Sequence, residues 1–115
     1  MSLGPKAITP KTVLVYQDEH GNEPFSEWFT GLKDLKGKQR IGTRIRRLSE
    51  GLYGDCGPVG EGVSELRMFF GPGYRVYIGE EADNVVILLC GGDKSSQKQD
   101  IKTAKGYWKE YNDHG

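Results

Sequence analysis

The chain has 115 residues, which is enough for one domain with a modest core. Hydrophobic residues make up 36% and charged residues 28%, so the composition excludes a disordered chain. The 16 basic and 16 acidic side chains leave a net charge of zero, which excludes a protein that attracts nucleic acid by its total charge.

The sequence has no apolar stretch long enough to cross a membrane, and its first residues lack the apolar core of a signal peptide. Two cysteines, Cys56 and Cys90, are too few for a disulfide framework and do not have the spacing of metal ligands. We therefore expect a soluble cytoplasmic protein with no metal, no cofactor and no membrane partner.

The N-terminal segment is predicted to be loose. Residues 1–11 contain two prolines and little hydrophobic pattern, so we expect a flexible arm there. A single domain is predicted over residues 12–112. It begins with a strand at Thr12–Gln17, which is short and rich in β-branched and aromatic residues.

Two amphipathic helices are predicted next. Apolar residues recur at helical spacing from Phe25 to Leu35, and Gly37 is expected to end this helix. The second helix carries Ile41 and Leu48 on its apolar face and ends at Gly51 or Gly54. A short break between the helices predicts an antiparallel helical hairpin that packs on a sheet.

The rest of the chain predicts a sheet and a last helix. Asp55–Gly62 holds three glycines and a proline and is expected to be a loop. Strands are predicted at about Val63–Phe70, Tyr74–Gly79 and Val85–Cys90, and Ser95 or Ser96 is expected to cap the final helix. The order β-α-α-β-β-β-α predicts one α+β domain.

Three cations mark the predicted strands. Arg67 lies on the first strand of the 63–94 segment, Arg75 on the second, and Lys94 just after the third. An antiparallel meander can gather these side chains on one face or edge. Three fixed cations with little acid between them suit the binding of a phosphodiester.

A second basic feature is the segment of residues 33–47, which contains seven cations and a single acid, Asp34. We interpret this run as a docking surface for RNA or the ribosome, although a run of charge on a helix is usually a solvated face. The residues assigned to this surface are Lys36, Lys38, Arg40, Arg44 and Arg47.

Three separated blocks carry a family resemblance: Ser64–Arg67, Gly71–Tyr77 and Leu88–Gln97. In this order they resemble the "addiction module killer protein" (phage Gp49-like) branch of the RelE/ParE toxin superfamily, close to HigB, over roughly Phe25 to Trp108. The resemblance implies a RelE-like fold, with a helical hairpin on a curved, antiparallel four-stranded sheet. It also implies the toxin of a bacterial type II toxin–antitoxin pair.

The activity implied by this resemblance is metal-independent cleavage of mRNA in the ribosomal A site, by attack of the ribose 2′-hydroxyl on the adjacent phosphate. Arg75, Arg67 and Lys94 would be catalytic, and Gln97 would contact RNA. The implied partners are the ribosome, mRNA and a cognate antitoxin, a helix-turn-helix protein of the HigA type.

Several interpretations stay open at this point. Arg67 can instead pair with an acid such as Glu65, and Lys94 can simply belong to the cap of the last helix. Tyr74 and Tyr77 are expected to point away from the face of Arg75. The chain also lacks the Tyr or His that many members of the superfamily place before Ile101 for proton transfer.

Two rival functions follow from these alternatives. A ParE-like protein would inhibit DNA gyrase by binding, without hydrolysis, and would not need the set of Arg67, Arg75 and Lys94. A degenerate toxin would bind its antitoxin and cut nothing.

Overall fold

A computed structural model describes residues 9–114 of the chain. The strands in this part are β1 (Thr12–Val15), β2 (Cys56–Gly60), β3 (Val63–Arg67), β4 (Arg75–Glu81) and β5 (Val85–Gly92). The helices are α1 (Pro24–Thr30), α2 (Leu35–Ser49) and α3 (Gln97–His114), and a short 3-10 helix spans Lys94–Ser96. The predicted α+β class is confirmed.

The sheet has five strands in the order β1-β5-β4-β3-β2 and is mixed. Because β1 pairs with β5 in parallel, the predicted antiparallel sheet of four strands is wrong in both number and direction. The extra strand, β2, forms where we expected a loop and pairs antiparallel with β3. Pro58 is tolerated because β2 lies at the sheet edge, where a missing N–H costs no ladder bond.

The helix boundaries also differ from the prediction. Helix α1 ends at Thr30, and α2 begins after Asp34, whose carboxylate accepts the amide of Gly37 at 3.0 Å. Gly37 therefore lies inside α2 and does not end a helix. The tyrosine hydroxyl of Tyr74 donates to the same carboxylate at 2.8 Å. These hydrogen bonds, with that from Gly37 the largest cause, lower the pKa of Asp34.

Helices cover both faces of the sheet. On one face, Phe25 of α1 and Ile41 and Leu48 of α2 pack against strand residues such as Val76 and Leu88. On the other face, Ala104 and Trp108 of α3 belong to a second core. The strand residues of that second core are Val63, Tyr77, Ile87, Leu89 and Cys90. The strands are therefore apolar on both sides, as a sheet between helical layers requires.

Near the N-terminus, the described residues join the domain directly. The amide of Lys11 donates to the carbonyl of Ser49 at 2.8 Å, just before β1. Residues 1–8 of the predicted arm lie outside the described residues. Within residues 9–114, no helix is long and apolar enough to cross a lipid bilayer.

Candidate functional site

Two of the three predicted cations stand opposite each other in the sheet. Arg67, the last residue of β3, pairs in register with Arg75, the first residue of β4. Their neighbours Leu66 and Val76 are buried in the core under α1 and α2. Because side chains alternate along a strand, both arginines lie on the face that α3 covers.

A buried carboxylate lies beneath the two arginines. Glu65 is 2% exposed and lies two residues before Arg67 on the same face of β3. It accepts hydrogen bonds from Arg67 Nη1 at 3.3 Å, from the Tyr77 hydroxyl at 3.1 Å and from Gln97 Nε2 at 2.8 Å. Arg75 Nε lies 3.8 Å from Glu65 Oε2. One carboxylate thus orients groups from β3, β4 and the start of α3.

Arg67 is held by two acids. Its Nη2 and Nε lie 3.1 and 3.3 Å from Asp55 Oδ1, in addition to the contact with Glu65. These carboxylates, with the hydrogen bonding of Arg67 to Asp55 the largest cause, raise the pKa of Arg67, so it stays charged. The acid pairing that the sequence left open is therefore present. Glu65 comes from the same strand as Arg67.

Arg75 is a buried cation, with 7% of the residue exposed. Its Nη1 donates to the carbonyls of Gly73 and Tyr74, both at 3.3 Å. Its Nε is enclosed and makes no hydrogen bond within the described residues, although the Glu65 carboxylate faces it. No hydrogen bond from Nη2 is found in residues 9–114 either, so the guanidinium keeps donor capacity for an anion.

Lys94 lies beside Arg75 across a glycine. A Cβ atom added to Gly73 would lie 3.3 Å from Lys94 Cβ and 3.8 Å from Arg75 Nη1. Gly73 also has φ near +78°, a conformation that favours glycine. The Lys94 side chain is exposed, and Lys94 opens the 3-10 helix. The structure therefore brings all three predicted catalytic residues to one end of β3 and β4.

The cap before α3 uses an aspartate. Asp93 accepts the amide of Ser95 at 2.9 Å, and its pKa is lowered, chiefly by hydrogen bonding from the Ser95 side chain. The N-cap is therefore Asp93 and neither predicted serine, but Ser96 completes the capping box by accepting the amide of Asp93 at 3.4 Å. Within the described residues, Lys94 has no salt bridge, and its ammonium group makes no hydrogen bond.

The five cations of the predicted docking surface differ in their surroundings, because two of them make hydrogen bonds within the protein. Arg44 donates to three carbonyls, those of Arg67, Tyr53 and Asp55, at 2.7, 3.0 and 3.2 Å. Burial lowers the pKa of Arg44, and its guanidinium braces the chain around the site. Lys38 Nζ donates to the Thr30 carbonyl at 3.2 Å.

The other members of this surface are exposed. Lys36, Arg40 and Arg47 all lie on the solvent side of α2. The guanidinium carbon of Arg40 lies 5.1 Å from the centre of the Phe70 ring, in a cation–π contact. Three of the five predicted surface cations are thus available to a partner.

Helix α3 carries its possible proton-transfer groups away from the site. Tyr107 stacks on Tyr16, with ring centres 5.0 Å apart, and Tyr111 stacks on Trp108 at 5.5 Å. Tyr107 lies ten residues after Gln97, which is about 15 Å along the helix axis. His114 ends the helix and is exposed.

Two expectations about polar contacts need revision. Tyr77 shares the face of Arg75, because residues two apart on a strand point the same way, so the expectation that it points away is wrong. Gln97, predicted to contact RNA, donates its amide to Glu65. A pattern in the sequence could have indicated that Glu65 is buried. Glu65 lies two residues after the apolar Val63, on the same face of a strand whose residues are mostly buried.

Residues 9–114 contain no group of three or more His, Cys, Asp or Glu side chains placed to hold a metal ion.

No family model matches the chain. An "Uncharacterized protein" of Haemophilus influenzae is 51% identical over 81 residues, which cover 70% of this chain and 82% of that protein. The chain belongs to the same family as the Haemophilus protein.

Proposed function

We propose that this protein is the toxin of a bacterial type II toxin–antitoxin system, with a RelE-like arrangement of its helices and sheet, and that it cuts mRNA on the ribosome. The observation that supports this proposal is the cluster of Arg67, Arg75 and Lys94 at one end of the sheet. Glu65 and Asp55 oppose two of the three charges, so the cluster keeps an excess of one positive charge.

The chemistry we assign is a metal-independent transfer within RNA. The ribose 2′-hydroxyl gives its proton to solvent as its oxygen attacks the adjacent phosphorus. The bond to the 5′-oxygen of the next nucleotide breaks, that oxygen takes up a proton, and a cyclic phosphate and a 5′-hydroxyl result. The phosphorane intermediate carries one more negative charge than the substrate. Arg75 and Lys94 donate to its non-bridging oxygens, which stabilises that added charge.

Arg67 and Glu65 act behind the reacting atoms. Glu65 holds the guanidinium of Arg67 and offsets the charge of Arg75, whose guanidinium is held by the carbonyls of Gly73 and Tyr74. Neither cation therefore reorganises when charge develops on the phosphate. Protonation of the leaving 5′-oxygen falls to the Lys94 ammonium, because Lys94 is exposed and its Cβ lies across Gly73 from Arg75. Arg67 adds to the positive electrostatic potential at the site, and its hydrogen bonds to Asp55 link β3 to the segment before β2.

The ribosome-facing surface is assigned to Lys36, Arg40 and Arg47, the exposed cations of α2. The partner that silences the toxin is proposed to be a HigA-type helix-turn-helix antitoxin in the cytoplasm. It would neutralise the toxin by covering this surface or the site.

A test in cells separates the main proposal from inhibition of gyrase. The protein is expressed in a bacterial host, and a reporter mRNA is mapped by primer extension while DNA breaks are scored in parallel. We expect cuts within A-site codons and no gyrase-dependent breaks. Breaks in DNA with intact mRNA would replace the proposal with a ParE-like mode of action.

One observation favours a second candidate, a toxin that binds its antitoxin without cutting RNA. All three guanidinium nitrogens of Arg67 are engaged by Asp55 and Glu65, and α3 brings neither Tyr107 nor His114 to the site. Unimpaired growth and intact mRNA on expression, with the antitoxin still bound, would select this candidate.

A further inference from the structure

A stripe of lysines runs from the site along α3. Lys98, Lys102, Lys105 and Lys109 recur at steps of four, three and four residues, which places them along one side of the helix. Lys94 precedes this stripe by four residues, in the 3-10 helix that leads directly into α3. The stripe therefore continues the cation cluster of the site.

The two halves of the stripe differ in their partners. Lys105 Nζ lies 3.3 Å from Glu61, and Lys109 Nζ lies 2.8 Å from Asp113. Lys98 and Lys102 are exposed, and within residues 9–114 neither has a salt bridge or a side-chain hydrogen bond. The half nearer to Arg75 is thus the half whose charge is not neutralised.

A shallow hollow of about 300 Å³ lies at this half of the stripe. Its lining is polar and contains no acid: Ser95, Ser96, Lys98, Gln99 and Lys102. Two acids border the hollow, because the Ser95 hydroxyl donates to Asp93 and the Ser96 hydroxyl donates to Asp100, both at 2.5 Å. Among the described residues, the donors that the hollow keeps for a ligand are therefore the ammonium groups of Lys98 and Lys102.

The placement of these lysines is unfavourable in the isolated protein. Lys98 and Lys102 are like charges at i and i+4, which repel each other on a helix surface. Lys98 also lies in the first turn of α3, at the positive end of the helix dipole. A bound chain of phosphates would relieve both effects.

We propose that Lys98 and Lys102 bind the backbone of single-stranded RNA beside the phosphodiester at Arg75, and so form a second phosphate-binding track. This inference rests on the proposed function, because it extends the same site. The Cα atoms of Lys98 and Lys102 are about 6 Å apart along the helix axis, so each side chain can reach a separate phosphate.

The test uses the salt dependence of RNA binding. Binding of a fluorescent single-stranded RNA oligonucleotide is measured by anisotropy over a series of KCl concentrations for the full chain and for K98A/K102A. The slope of log K against log salt is expected to shrink by about 1.4, since each lost phosphate contact on a single strand contributes about 0.7. The matched control K105A/K109A, on the same side of α3, should keep the slope of the unmodified chain.

If K98A/K102A keeps the slope of log K against log salt of the unmodified chain, the proposed phosphate-binding track is wrong. Tighter binding of duplex DNA than of RNA, or the absence of measurable RNA binding by the unmodified chain, would also overturn it. Melting curves for both double variants show that each is folded. The primer-extension result is independent: a reduced slope without mRNA cuts would keep the RNA track and reject the endonuclease.

Discussion

At the scale of single residues, Arg75 is the side chain whose environment is hardest to explain by folding alone. A guanidinium is rarely buried without full pairing, yet Arg75 is 7% exposed and its Nε makes no hydrogen bond in the described residues. Glu65 offsets its charge at 3.8 Å. Truncation to alanine would leave Glu65 short of a cation, so Arg75→Ala is expected to weaken folding as well as function.

A conservative substitution avoids this complication. Arg75→Lys keeps the charge next to Glu65 and removes the planar fork of donors. We expect mRNA cleavage to fall by about 10²–10³-fold, the usual cost of one preorganised donor, with little change in melting temperature. Arg46→Lys, an exposed position of α2 outside the proposed ribosome-facing surface, is the matched control and should cut at the normal rate. Full cleavage by folded Arg75→Lys would remove Arg75 from the reaction.

The sequence predicts which cations form the site, but it does not predict the side chains that hold them in place. Arg67, Arg75 and Lys94 were selected from strand positions and from the resemblance of their blocks. Glu65 receives Gln97 from 32 residues further along the chain, a contact that exists because α3 docks on the sheet. Such contacts depend on tertiary packing, which local periodicity does not report.

At the scale of elements, the strands and helices with strong apolar patterns were predicted and the weak ones were missed. Strand β2 contains Gly57, Pro58 and Gly60, residues that favour loops, and it exists because β3 offers it an edge. The break between α1 and α2 was placed too late, since Asp34 caps α2 three residues before Gly37. Strand β2 depends on its pairing with β3, and the start of α2 depends on Asp34, which also accepts a hydrogen bond from the distant Tyr74.

A pair of glycines tests how closely the helices pack on the sheet. A Cβ atom at Gly91 of β5 would overlap the ring of Trp28, whereas one at Gly106 of α3 meets nothing within 4 Å. Gly91→Ala is expected to destabilise the fold by about 1–3 kcal/mol through overpacking. Gly106→Ala should stabilise it by about 0.5–1 kcal/mol, because alanine favours a helix over glycine. Urea unfolding gives both values, and equal effects of the two changes would contradict the packing described.

At the scale of the whole molecule, the net charge is zero, but positive and negative side chains lie at opposite ends of strand β4. Strand β4 begins with Arg75 at the site and ends with Glu80 and Glu81, six residues or about 20 Å away. Lys94, Lys98 and Lys102 add to the positive end. Total charge could not predict this separation, since it depends on which strand ends meet. On the proposed function, this positive end is the one that would meet the phosphates of RNA.

The central claim is that this positive end cleaves RNA by using the ribose 2′-hydroxyl. The most direct measurement is cleavage of an mRNA in a purified translation system, with a matched mRNA carrying one 2′-deoxy nucleotide before the scissile phosphate. We predict a cut with a 2′,3′-cyclic phosphate and a 5′-hydroxyl in the first mRNA and no cut at that position in the second. Equal cleavage of both, or of neither, would contradict the account.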